Sequence, residues 1–206
     1  EPPKHLDPAK SYSSDEYEII GQIYEPLLQY HYLVRPYTLT PLTAEKVPSP
    51  VYFDKASKRL PDGAPPHDVA RAVYEIKIKN GIRYQDHPAF AKGPDGNPLY
   101  LNLTEEAVKG IEAVEDFPWK GTRELTADDY IFQIMRLADP TIESPILPIL
   151  EKYILGLKEY SDALKKELER IRGDRKAKAG IYYNQTSDEA ENPILLDYKK
   201  FLLMGV

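Results

Sequence analysis

Residues 6–28 read LDPAKSYSSDEYEIIGQIYEPLL, a short loop opening into an amphipathic helix. Ser13 and Glu16 stand three apart, so the serine hydroxyl can accept the Glu16 amide while the carboxylate reaches back, which makes a capping box and a helix start. The helix is predicted to run to about Leu28. Tyr17, Ile20, Ile23, Tyr24 and Leu27 fall at spacings of three, three, one and three, one apolar stripe expected to face a core. Upstream, Pro2, Pro3 and Pro8 forbid a helix and predict an extended start anchored by Leu6.

Working outward, the 206 residues give room for one large domain or one and a half, with mass enough to bury a core. Sixteen Tyr against five Phe place many hydroxyls at surfaces or hydrogen-bonded sites. A net charge of −6 offers no basic face to nucleic acid or anionic lipid. The absence of Cys excludes disulfides, zinc thiolates and cysteine nucleophiles, and fits either redox compartment. No run of 18 apolar residues occurs, and no basic segment followed by an apolar one opens the chain. Asn102-Leu-Thr104 and Asn184-Gln-Thr186 fit the N-glycosylation pattern, which chance also supplies.

Gln29–Val34 reads as a Tyr-rich strand, and Arg35–Pro50, with four prolines, as irregular chain over a surface. Val51–Phe53 is a brief strand. Ala72–Lys79 alternates Val73, Glu75 and Lys77 with Tyr74, Ile76 and Ile78, a half-buried strand. Asn80-Gly81 signals a tight turn, and Ile82–Tyr84 continues beyond it. A short helix is expected at Thr104–Ala113, and another capped by Thr126, with Asp129 at its third position and a stripe of Tyr130, Ile131, Ile134 and Leu137. A long helix spans about Ile149–Arg172, with Tyr153, Leu157, Tyr160, Leu164 and Leu168 at heptad-like spacing and a charged, solvated C-terminal half. Asn192-Pro193 should start a short helix through Leu203, and Gly205-Val206 a strand.

Four stretches in order resemble the N-terminal part of family 5 extracellular solute-binding proteins, the peptide- and nickel-binding receptors of bacterial ABC importers. They are Leu-Asp-Pro with its loop and the helix ending Ile-Tyr-Glu-Pro-Leu-Leu; YEIKIKNGIRYQD; GTRELTADDYIFQIMRLADP; and Ser144-Pro145-Ile146. The resemblance covers most of residues 6–146. Relatives proceed directly from the second stretch to the third, so residues 87–120, which hold the only Trp, are expected to be an insertion. It implies an α+β fold with a mixed sheet and capped helices, the N-terminal lobe and extra domain of a periplasmic binding protein type II fold, with the second lobe absent from this chain. The implied function is capture of a solute, oligopeptide first, by closure of two lobes, and delivery to an ABC permease in the inner membrane. The implied protein is a monomer without cofactor, in the periplasm or at the outer face of the cytoplasmic membrane, its signal already removed. Carried over position by position, Ser13 and Ser14 form one ligand wall and Ile146 the other, an isoleucine where relatives have an aromatic.

The residues themselves give no catalytic constellation. His5, His31, His67 and His87 are scattered, and Asp86-His87, the best metal pair, points its side chains to opposite faces of a strand. Glu105-Glu106, Asp128-Asp129 and Asp188-Glu189 are neighbours within single elements, whereas acid and base work needs carboxylates from different elements. No GxSxG, P-loop or GxGxxG occurs. Besides the receptor, two readings stay open: a cell-envelope interaction module using residues 87–120 and the Tyr- and Pro-rich surface, and a hydrolase built on the same opening.

Overall fold

The computed structural model describes residues 2–101 and 103–206, so Asn102 lies outside the described residues. The chain divides into two compact units, Glu1–Glu25 with Asp128–Val206, and Pro26–Ala127. Among the described residues there are five α-helices and two small antiparallel sheets, an α+β chain. Two two-stranded sheets stand where a single mixed sheet was expected.

In the first unit, α1 (Ser14–Ile23) begins on the Ser13 capping box as its spacing requires. It stops five residues before Leu28, with Tyr24 extended, because Pro26 disfavours helical backbone at the residue before it. Of the expected stripe only Ile20 is buried; Tyr17, Ile23 and Tyr24 are exposed, and so is Leu6. Helix α2 (Ala127–Leu137) follows Thr126. The expected helix from Ile149 is two: α3 (Leu147–Leu150) and α4 (Leu157–Ala179). Gly156 separates them at φ 81, a left-handed conformation that side chains resist. Tyr153 is therefore outside the helix and exposed, while Leu157, Tyr160, Leu164 and Leu168 form its buried stripe.

Leu157, Tyr160 and Leu164 meet Ala138 and Leu203 in the core, with Ile134, Leu147 and Phe201 packed around them. Each large apolar side chain so buried contributes about 1.5–3 kcal/mol relative to exposure. The charged half of α4 is not wholly solvated. Arg172 and Arg175 pair with Glu189 and Asp188 of α5 (Gln185–Glu191) at 2.7 and 2.8 Å. Asn184 caps α5, and Asn192 ends it, where it was expected to start a helix running through Leu203. Beyond it the chain is extended, with one 3-10 turn at Tyr198–Lys200, and Gly205 lies in a turn.

In the second unit, β1 (Leu28–Tyr30) pairs antiparallel with β2 (Leu39–Pro41), a strand lying within the segment expected to be irregular. β3 (Pro50–Phe53) pairs with β4 (Arg71–Tyr74), which ends before Lys79. The Asn80-Gly81 turn forms, yet its flanks pair elsewhere: Ile78 bridges Ala44, and Arg83 bridges Glu124. Residues 105–110 make turns where a helix was expected. His87 and Gly121 exchange backbone hydrogen bonds of 2.8 and 3.1 Å.

Candidate ligand-binding site

The loop before α1 is organised by one carboxylate. Glu16 is buried at 4% exposure. Its Oε1 accepts the Lys4 and His5 amides at 3.1 and 2.9 Å, and its Oε2 accepts the Ser11 hydroxyl and the Tyr12 and Ser13 amides at 2.9, 3.2 and 3.4 Å. These donors, the His5 amide foremost and then the Ser11 hydroxyl, hold its pKa down at about 2. The loop they tie down walls an open depression of about 460 Å³, lined by Lys4, His5, Lys10, Tyr12, Ser13 and Asp15 with Glu16.

Ser13 thus stands at a concave surface, but its own groups are engaged. Its hydroxyl accepts the Glu16 amide at 3.3 Å and its carbonyl accepts the Tyr17 amide at 3.1 Å. Ser14 is the exposed first residue of α1 and does not line the depression. Ile146 does not line it either; half-buried, it precedes α3, and its carbonyl accepts the Ile149 and Leu150 amides at 3.1 Å.

The segment leading to Ile146 carries two departures from ordinary structure. Glu143 holds φ 56, a conformation that non-glycine residues reach at a cost of about 1–2 kcal/mol. Ser144 next to it buries its hydroxyl with no hydrogen-bond partner, a group that ordinarily finds one. Sequence reading took Ser144-Pro145 only as a landmark, because neither strain nor burial leaves a signature in residue type.

Two further polar groups tie the same unit together. Asp7 of Leu-Asp-Pro receives both Nη atoms of Arg136 on α2, at 3.0 and 2.6 Å. The guanidinium lowers the Asp7 pKa, against the effect of burial. The carboxylate of Asp139, in Ala-Asp-Pro, accepts the Thr141 amide and hydroxyl at 2.7 Å each and the Tyr198 hydroxyl at 2.6 Å. Burial first, and then that bond, raises the Tyr198 pKa.

Among the described residues no group of three or more His, Asp or Glu side chains is placed to hold a metal ion. His87 Nδ1 accepts the Ala89 amide and His31 Nδ1 those of Leu33 and Val34, so each uses a ring nitrogen on its own turn. The carboxylates of Asp188 and Glu189 are bound to arginines. No helix is long and apolar enough to cross a membrane, among the described residues. Comparison with family models, curated proteins and solved structures finds no match.

Proposed function

We propose that this chain is the N-terminal portion of a solute-binding receptor of the family 5 type, supplying part of one lobe and the extra domain of a periplasmic-binding-protein fold. The observation that carries the reading is the pairing of His87 with Gly121. The resemblance requires the stretch ending at Asp86 to run on to Gly121, and residues 88–120 leave and return at one paired point. A β-carbon at Gly121 would run into the Phe90 carbonyl, so glycine is needed where the excursion closes.

Two observations add support. Asp7 and Arg136 bind the first motif to the third. The strained Glu143 and the orphaned Ser144 hydroxyl stand beside the carried-over wall at Ile146, and strain of this kind gathers at functional sites.

In this reading the complete receptor holds an oligopeptide by strand-like backbone bonds between two lobes, closes about a hinge, and presents the closed form to an ABC permease. It works in the periplasm or at the outer face of the cytoplasmic membrane, and performs no catalysis. Ser13, Ser14 and Ile146 lie at the ligand walls. This portion alone lacks the opposing contacts. Titration of the 206-residue chain with short peptides should give a dissociation constant weaker than about 1 μM, near −8 kcal/mol. Tighter binding by this chain would mean that the site is complete within it.

A second reading rests on Leu101 and Trp119, exposed at 73% and 66% on the excursion: a cell-envelope interaction module contacting a protein there. Loss of a partner on removal of residues 88–120, with solute binding absent from the full reading frame, would favour it.

A further inference from the structure

Helix α5 meets α4 through charge. Of its residues Gln185–Glu191, only Asp188 and Glu189 are half-buried; the rest are exposed, including Ala190, its one apolar residue. Those two carboxylates are the groups bound to α4. Glu189 takes the Arg172 fork through both oxygens, from Nε at 2.7 Å and Nη2 at 2.8 Å. Arg175 Nη1 donates to Asp188 at 2.8 Å and to the Asn192 carbonyl at 2.6 Å.

A helix this short does not hold itself. Isolated helices under about 12 residues are marginal in water, and Thr186, Ser187 and Asp188 are weaker helix formers than Ala or Leu. The Asn184 cap, whose side chain accepts the Ser187 amide at 3.2 Å, adds local support. The segment is loosely held at its ends as well. Gly180 ends α4 with open space around it, and among the described residues the next buried one is Ile194. Between them Tyr183 buries its hydroxyl with no hydrogen-bond partner, which opposes closure, because opening returns that group to water.

We propose that α5 is a strap that leaves α4 as a unit, between Gly180 and Ile194, while α4 stays folded, and that ionic strength sets how often it is open. Helix α4 keeps its own buried stripe, Leu157 to Leu168, upstream of both arginines, and so does not rely on α5. Closed, the strap occupies Arg172 and Arg175 with its own carboxylates. Open, α4 presents two free guanidinium groups three residues apart on one face. Salt acts in one direction only, since screening weakens attraction between unlike charges that still reach solvent. The inference does not depend on the receptor reading.

Amide hydrogen exchange of the 206-residue chain, resolved by residue, tests it. The Asp188 and Asn192 amides, which donate to Asn184 and Asp188 at 2.9 and 2.7 Å, report the strap, and those of Leu164 and Leu168 report α4. From about 50 to about 500 mM NaCl the strap amides should exchange about threefold faster or more, with the α4 amides unchanged. Arg172→Gln and Glu189→Gln should each speed strap exchange about fivefold at the lower salt, the first from outside α5 and the second with a residue of similar helix propensity. The double variant should go no more than about twofold further, since both substitutions remove one interaction. Strap exchange that ignores salt, strap and α4 amides that accelerate together, or effects of the two substitutions that multiply would each overturn the proposal.

Discussion

Asp7 and Arg136, 129 positions apart, form a bidentate ion pair of 2.6 and 3.0 Å that ties the loop before α1 to the last turn of α2. The two side chains are only 30% and 24% exposed, so the pair is more than a solvated surface contact. Arg136→Lys keeps the charge and loses the planar fork. It should destabilise the chain by about 1 kcal/mol, and Arg136→Ala by about 2, since Ala leaves the half-buried Asp7 carboxylate with the Ala9 amide but no counter-ion. Urea unfolding followed by circular dichroism measures both; equal costs would mean that the fork geometry contributes nothing.

Glu16 makes the fold sensitive to acid. Its pKa is about 2 in the folded chain against 4.5 ordinarily, so the stability that it contributes is complete above pH 4.5 and is lost as pH falls toward 2. Asp7, also lowered, acts in the same direction. Wild-type stability should fall from pH 5 to pH 3, and Glu16→Gln should be less stable at pH 6 with a shallower fall. Parallel pH profiles for the two proteins would remove Glu16 from the account.

Much of this was legible where the signal is local. The Ser13–Glu16 box, β3 and α2 form where neighbouring residues place them, because capping, alternation and helical stripes act within a few positions. What sequence could not supply was partnership. Asn80-Gly81 turns as its type dictates, but Ala44 and Glu124 take the partners on either side of it. The α1 stripe has the right period, yet Tyr17 and Tyr24 face outward because period says which side chains share a face, not what covers it. Gly156 was passed over inside a helical pattern that its left-handed backbone interrupts. At the carried-over site, Ser13 reaches a concave surface, while four of the five donors on Glu16, two of them at Lys4 and His5, lie outside the capping box.

The strain at Glu143 is removable. Glycine occupies φ 56 without the β-carbon clash, so Glu143→Gly should stabilise the chain by up to about 1 kcal/mol in thermal or urea unfolding. No gain would show that contacts of the Glu143 side chain outweigh its backbone.

Residues 88–120 should be dispensable for folding. Joining His87 to Gly121 through an Asn-Gly turn keeps the paired ends and deletes the excursion between them. The shortened chain should retain the amide resonances of β1 to β4, read by heteronuclear correlation spectra. Collapse of those signals would make the excursion part of the unit's fold and weaken its reading as an insertion.

The receptor reading meets its most direct test in native mass spectrometry of the full reading frame's product, purified gently enough to keep small ligands, beside the 206-residue chain. The account predicts extra mass on the longer protein that fragments to peptides and is absent from this chain. Bare mass on both, or a peptide retained by the 206 residues alone, would contradict it.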